Sequence, residues 1–491
     1  MNLSISSSAP LGLVAAISLV LSLVYLMAET QLGQTAYPLL NQVGPIITMV
    51  TCLWGAYRLA SVSSLSLWTP AIWLLFTSAV YWGFGPLVYP FGTPESVDFA
   101  DQDYPVDEHS LLRSNLLNSV GIGIETLVLA IGAAVFPVRV NPSAPREFDC
   151  SYQLMWICLI VGGTVKYLFA LPFTLGLLPF ILPGSIQHLG GLTNSAIILI
   201  ILHIHRGNKR YWPLLLIVLC CEVVGGLMAL RKTELVLTAL AVILGRYLCR
   251  PTLWPLVRSI LILGVFYVFV LSPFVSFARV AFGAFGLTSV NDLEDSVETY
   301  GDNGKEAMEM LQPGVQAWWT RFNYANVQAF TMDAYDEGVP GKSLSDLPFI
   351  LVPRILYHDK PLMMPGRELT FLIQGDDVIS STGVGLYGEA YWNGGWGMVL
   401  VVSVCLGVVL TIFGRFAMTM IATQQFAYMP VIMIGIWMGL RPDEWSIMSL
   451  GFTLEAVVWF WILSTVVSIL KWRSMVRGSP KANMPARADT T

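Results

Sequence analysis

The chain has 491 residues, 55% of them hydrophobic and only 12% charged, with a mean hydropathy of +0.65; soluble proteins carry about a quarter charged residues, so water is not its main solvent. That balance excludes a soluble multidomain enzyme, a secreted disulfide scaffold and a nucleic-acid binder. The net charge of −5 excludes nothing, because in a membrane the placement of Lys and Arg matters, not their sum.

Apolar runs of about 17 to 24 residues recur along the chain, each long enough as a helix to cross a ~30 Å hydrocarbon layer. They lie near 11–28, 43–59, 68–89, 116–137, 152–172, 188–204, 212–230, 233–249, 254–273, 393–414, 425–440 and 448–470. The expected fold is all-α, a polytopic membrane protein with about twelve transmembrane helices and one large outer loop. The first run has no charge before it and no good cleavage site after it, which predicts a retained span. The runs divided at Arg231 read as two spans, as a re-entrant hairpin or as a broken helix. The expected organisation is nine spans in 1–273, an outer segment at 274–390, three spans in 391–473 and a disordered tail at 474–491.

One set of alternate connections is short and basic: Arg58; Arg139 and Arg146; Arg206, Lys209 and Arg210; Arg246, Arg250 and Arg258; Arg415; and the tail from Lys471. The positive-inside rule puts these, and both termini, on the cytoplasmic side of the membrane. The acidic loop at Asp101, Asp103, Asp107 and Glu108 and the long segment then face outward. The seven cysteines fall in spans or on the inner side, so no disulfide is expected in the outer loops. The His and Cys spacings suggest no metal site, and there is no P-loop or dinucleotide fingerprint, so no cofactor is expected.

Inside spans lie Glu125, Lys166, Glu222 and Glu455. Pairing of Lys166 with Glu125 or Glu222 stands beside a role in a substrate or ion pathway. Arg231 and Lys232 then occupy a short outer turn, Arg279 lies just past the ninth span and Arg441 occupies another outer turn, all against the usual rule. The long segment opens with an acidic run from Asp292 to Glu309, which reads as a solvated face. Over 315–333, Val315, Trp318, Trp319, Phe322 and Phe330 share one side of a helical period, with Arg321 flanking them and Asn326 among them. Two readings fit: a helix lying on the membrane surface as a lid, or one packed on the bundle. At 349–367 Arg354, His358, Lys360 and Arg367 gather among prolines that hold them on turns. Together Arg231, Lys232, Arg279, Arg321, Arg354, Lys360 and Arg367 would make an outward-facing cationic bowl suited to phosphate oxygens.

The stretch LPFILVPRILYHDKP, with Gly366–Arg367, Ser380–Ser381 and GLYGEAYWNGGWG running into a span, resembles the oligosaccharide repeat-unit polymerases of the O-antigen polymerase (Wzy) type. GGLMALRKTEL is similar to the Gly-rich helix of that superfamily, with the R-x-x-x-L spacing of the O-antigen ligases at Arg231 and Leu235. The resemblance implies a metal-independent glycosyltransferase with a GT-C-like core, acting on undecaprenyl-diphosphate-linked oligosaccharide in membrane lipid. A chain-length regulator and a flippase are the protein partners it implies. On that reading the cations bind the pyrophosphate, and Glu389, or His358, accepts the proton of the attacking hydroxyl. Glu389 also fits a helix-start cap. An O-antigen ligase and a flippase for the same glycans are the rival readings.

Overall fold

The computed structural model describes residues 3–5, 8–101, 104–140, 150–178, 189–282, 319–352, 357, 364–375 and 382–478. In chain order the first helices are α1 (Ser8–Leu32), α2 (Gln34–Val62), α3 (Pro70–Phe91), α4 (Pro94–Ala100), α5 (Glu108–Val135), α6 (Ser151–Thr174), α7 (Leu192–His205) and α8 (Lys209–Met228). There follow α9 (Lys232–Cys249), α10 (Leu253–Ala278), α11 (Ala325–Asp336), α12 (Pro365–Gln374), α13 (Gly385–Ala422), α14 (Phe426–Leu440) and α15 (Ser446–Trp472). Among the described residues nine of these are long and apolar enough to cross a membrane, namely α1, α2, α3, α5, α6, α8, α10, α13 and α15. The chain is a multi-pass helical membrane protein. Each expected apolar run holds a helix, with α7, α9 and α14 shorter or more charged than the rest.

The all-α expectation omits one feature, an antiparallel ribbon of β1 (Leu3–Ile5) and β2 (Val138–Val140) that pairs Ser4 with Arg139. Pro137 cannot continue α5, and the valines after it suit an extended pairing.

α5 is the central helix, packed along α1 and along α13. Small residues set these approaches, since a methyl at Gly123 would strike Leu19, one at Gly132 Thr411, and one at Gly407 Val128. In hydrocarbon such close backbone packing replaces the missing hydrophobic drive. α7 joins α6 and α9 in a second group, and α14 packs on α3. One end of the bundle carries the described residues 319–382; we refer to it as the loop end.

The sequence predicts a span at 393–414, but the helix begins at Gly385 and is broken at Gly394 and Gly395, where Gly395 takes φ +59°. The contacts trace a hairpin. Tyr387 lies against Gly121 while the Tyr391 hydroxyl reaches Arg113, so the first arm climbs α5 towards the loop end. After the break, Gly407 meets Val128 and Thr411 meets Gly132, so the second arm descends. Residues 385–393 are therefore a re-entrant arm, allowed at membrane depth because protein rather than lipid surrounds them.

The helix expected over 315–333 is corrected too. Among the described residues it runs over Ala325–Asp336, with Ala325, Val327, Gln328 and Thr331 buried between α5 and α13. Of the two readings, the packed helix is the one found, and polar partners are the reason. Ser114 and Asn118 donate to Gln328 Oε1 at 2.6 and 2.9 Å, and Asn326 donates to the Ala100 carbonyl at 2.8 Å.

Candidate functional site

Three segments rise together towards the loop end, and their lower ends share a floor. α11 starts at Tyr324, the re-entrant arm at Gly385, and the third is the break between α14 and α15. The Leu386 amide donates to the Pro442 carbonyl at 3.0 Å, which ties the second to the third. The Tyr324 hydroxyl donates to Asp443 at 3.3 Å, which ties the first to the third. The rings of Tyr81 and Trp82 pack on Tyr324 at 5.6 and 5.7 Å, and Trp82 also meets Tyr387. Tyr81 and Trp82 lie in a π-helical turn, Ala79–Phe84, which turns both residues towards this cluster.

The floor carries charge. Arg441 Nε bonds Asp443 at 3.0 Å, its Nη2 lies 3.7 Å from Glu444, and its guanidinium covers the Trp437 ring at 5.1 Å. Asp443 is buried, and the second oxygen of Glu444 is buried with no hydrogen-bond partner. Depth follows from helix length. The start of α14 is marked by Phe426, whose ring lies under the Arg206 guanidinium of the basic turn. From there α14 rises only about 22 Å, so Arg441 falls roughly 8 Å short of crossing a ~30 Å hydrocarbon layer. On α5, Gly121 beside Tyr387 lies about 12 Å below Arg113 at the rim. By the length of α14, Arg441, Asp443 and Glu444 lie short of the outer surface of a bilayer that the helix enters at Phe426.

The rim is held by Arg113. It bonds Asp333 at 3.1 Å, Asp336 at 2.5 Å and the Tyr391 hydroxyl at 3.3 Å, and lies 3.9 Å from Glu29. The Tyr104 hydroxyl donates to Asp333 at 2.8 Å, and burial, with that carboxylate beside it, pushes its phenol up to about 12. Sequence reasoning missed this clamp. Asp333 and Asp336, three apart on one helix face, were the available signal.

Glu389 is fully buried in the re-entrant arm. Its Oε1 accepts from the Ser343 hydroxyl at 2.5 Å; its Oε2 accepts from the Ser446 hydroxyl at 2.5 Å and the Ile447 amide at 3.2 Å. It caps the start of α15 rather than of its own helix, complementing the exposed amides there. Asn393 extends the lock, donating to Ser343 at 2.9 Å and accepting from the Leu344 amide at 3.0 Å.

Of the other expected site residues, Arg321 is exposed in the turn before α11, next to Phe322, which packs on Tyr81. Arg367 is exposed on the first turn of α12, where the Gly366 carbonyl accepts from the Thr382 amide at 3.1 Å. Thr382 adjoins Gly383, whose added methyl would lie 3.3 Å from the Asp443 carbonyl. The backbone near Arg321 and Arg367 therefore adjoins the segments that form the floor, while both guanidinium groups are exposed. Lys232 donates to Ser272 and Ser276 of α10 at 2.9 and 3.1 Å, and Arg231 bonds Glu234 at 3.3 Å. Arg354, His358, Lys360 and the side chain of Arg279 lie outside the described residues.

Arg231 and Glu234 belong to a second charged group. Lys166, placed by a π-helical turn in α6, bonds Glu222 at 2.6 Å and Glu234 at 2.9 Å. Tyr167 and Thr238 also donate to Glu222, at 2.7 and 3.2 Å. Of the two partners foreseen for Lys166, Glu222 is the one it takes. Glu125 instead accepts from the Tyr387 hydroxyl at 2.7 Å. No protein-family model, curated protein or solved structure matches the chain.

Proposed function

We propose that the protein is a membrane glycosyltransferase with a GT-C-like core and twelve spans. It would polymerise undecaprenyl-diphosphate-linked oligosaccharide repeat units at the outer face of a bacterial plasma membrane, with both termini in the cytoplasm. The observation that carries this reading is the charged floor: a guanidinium, two carboxylates and a phenol gathered at the break between α14 and α15. A lipid-linked substrate presents its diphosphate near the membrane surface, and guanidinium groups neutralise diphosphate oxygens by paired hydrogen bonds. The resemblance of segments within 347–397 to repeat-unit polymerases supplies the substrate class.

In the proposed reaction a sugar hydroxyl of one lipid-linked unit attacks the anomeric carbon of the growing chain. The bond from that carbon to the diphosphate breaks, and undecaprenyl diphosphate leaves with the electron pair. Arg367, Arg321 and Arg441, with Arg354, Lys360 and Arg279, stabilise the departing charge, while Arg231 and Lys232 are engaged by Glu234 and by Ser272 and Ser276 in the second charged group. The hydroxyl proton passes to a carboxylate. Glu389 has both oxygens occupied by α15 and Ser343, and Asp443 both by Arg441 and Tyr324, which favours Glu444, with its unpartnered oxygen, for that role, and His358 as the other candidate.

The test is purified protein in nanodiscs supplied with a synthetic undecaprenyl-diphosphate repeat unit. The expected product is a ladder of multiples with one undecaprenyl diphosphate released per linkage formed. Unchanged single units would overturn the reading, and transfer only to a lipid A core acceptor would make the protein a ligase. Sealed vesicles with substrate outside separate a polymerase, which makes product there, from a flippase, which moves substrate without joining it.

A further inference from the structure

A second site lies away from the floor. A cavity of about 130 Å³ opens between α7, α9, α14 and α15. Its walls are apolar and aromatic, with Leu237, Phe452, Trp437 and Trp459 among them, and two polar side chains reach it, Glu455 and Asn194. Asn194 is only 8% exposed, and its side-chain oxygen has no hydrogen-bond partner. The flank of α15 beside Glu455 is apolar and exposed, with Val458 at 51% and Trp461 at 67%. Lipid therefore reaches the cavity's edge.

The lining favours positive charge. A carboxylate and an unused amide oxygen reach it beside two indoles, and the Trp459 N–H, which donates to Glu455, leaves that carboxylate its negative charge. Among the described residues no basic side chain lines the cavity. Arg441, over the Trp437 ring, is already held between Asp443 and Glu444. A carboxylate inside a membrane ordinarily pairs with a cation or lines a pathway; Glu455 accepts from Trp459, forms no ion pair among the described residues, and Lys166 is taken by Glu222 and Glu234.

We propose that this cavity binds the ammonium head of a cationic amphiphile. The ammonium group lies against Glu455 and the Asn194 oxygen, between Trp437 and Trp459, and the hydrocarbon tail trails past Val458 into the bilayer. The size agrees, since a trimethylammonium head fills a volume on the order of 100 Å³, comparable to cavities that hold benzene. The site is independent of the glycan reading, because it uses none of the residues assigned to the diphosphate.

The experiment measures equilibrium binding of dodecyltrimethylammonium, below its micellar concentration, to the full-length protein in nanodiscs. Saturable binding at one site is expected, with dodecanol and dodecyl phosphate failing to compete. Glu455→Gln should weaken it by about tenfold or more and Asn194→Leu by roughly threefold to tenfold, as loss of a charged and of a neutral acceptor would. A readout on the unaltered protein covers the case in which a variant fails to fold: the probe should protect Glu455 from labelling by dicyclohexylcarbodiimide, read by peptide mass spectrometry. Partition indistinguishable from empty nanodiscs, unchanged affinity in a folded Glu455→Gln protein, or labelling indifferent to the probe would each overturn the proposal.

Discussion

Two charged groups at the loop end are built on opposite principles. Lys166, Glu222, Glu234 and Arg231 balance, two positive against two negative, with Tyr167 and Thr238 filling the remaining acceptor sites. Arg441 faces Asp443 and Glu444 with one charge against two, and an oxygen of Glu444 is left over. Buried charge is tolerated when it is paired and hydrogen-bonded. The first group meets that condition and joins α6, α8 and α9. The second does not, and it sits where three segments dip back into the bundle. Surplus buried polarity is expected where a ligand completes the set.

The largest expected effects follow from breaking each group and then repairing it. Lys166→Met and Arg441→Met each strand buried carboxylate and should cost about 3–5 kcal/mol, seen as a fall in melting temperature in detergent. Adding Glu222→Gln to the first, and Asp443→Asn with Glu444→Gln to the second, removes the stranded charge and should recover most of that loss. The comparison sharpens in turnover: the repaired Lys166 variant should elongate glycan as the native protein does, and the repaired Arg441 variant should fold and make no polymer. Full activity in the second repaired variant would remove the floor from the site.

Glu389→Gln comes next. The amide keeps the shape but gives up charge-assisted bonds from Ser343, Ser446 and the Ile447 amide, for an expected loss of about 1.5–3 kcal/mol. Elongation per folded molecule should be unchanged, measured as product per monodisperse protein. A stable Gln variant that makes no polymer would return Glu389 to the role of proton acceptor.

Much of this was legible in the sequence, and the limits are physical. Apolar runs located the helices because membrane thickness imposes a length, and Arg441 was visible as a cation in an outer turn. The partners were not: Asp443 and Glu444 are ordinary loop residues until α14 proves too short to carry them out of the bilayer. The packed state of α11 was hidden because Gln328 and Asn326 look like a polar helix face, and their partners Ser114, Asn118 and Ala100 are more than 200 residues away. Glu389 was legible as a cap but not for which helix. Irregular backbone was least visible. α1, α3, α6 and α10 each carry a π-helical turn in the half nearer the loop end, at Ala28–Leu32, Ala79–Phe84, Lys166–Ala170 and Tyr267–Leu271. A π turn changes the face a helix presents without changing its composition.

The smallest expected effect tests whether that irregularity is needed. Gly395 turns the re-entrant arm into the descending one at φ +59°, and an added methyl would lie 2.9 Å from the Tyr335 ring. Gly395→Ala meets both the left-handed penalty and a contact that Tyr335 relieves only by turning away from Tyr391, for a combined cost of about 1–2 kcal/mol. The arm carries Tyr387, Glu389 and Tyr391, which hold Glu125, the start of α15 and the Arg113 clamp respectively. A shift at its tip therefore reaches the floor through Leu386 and the Pro442 carbonyl. Glycan elongation should fall by more than the loss of folded protein explains, measured as rate per folded molecule across a temperature series. A rate that tracks the folded fraction alone would mean that the hairpin supports the bundle and leaves the floor unaffected.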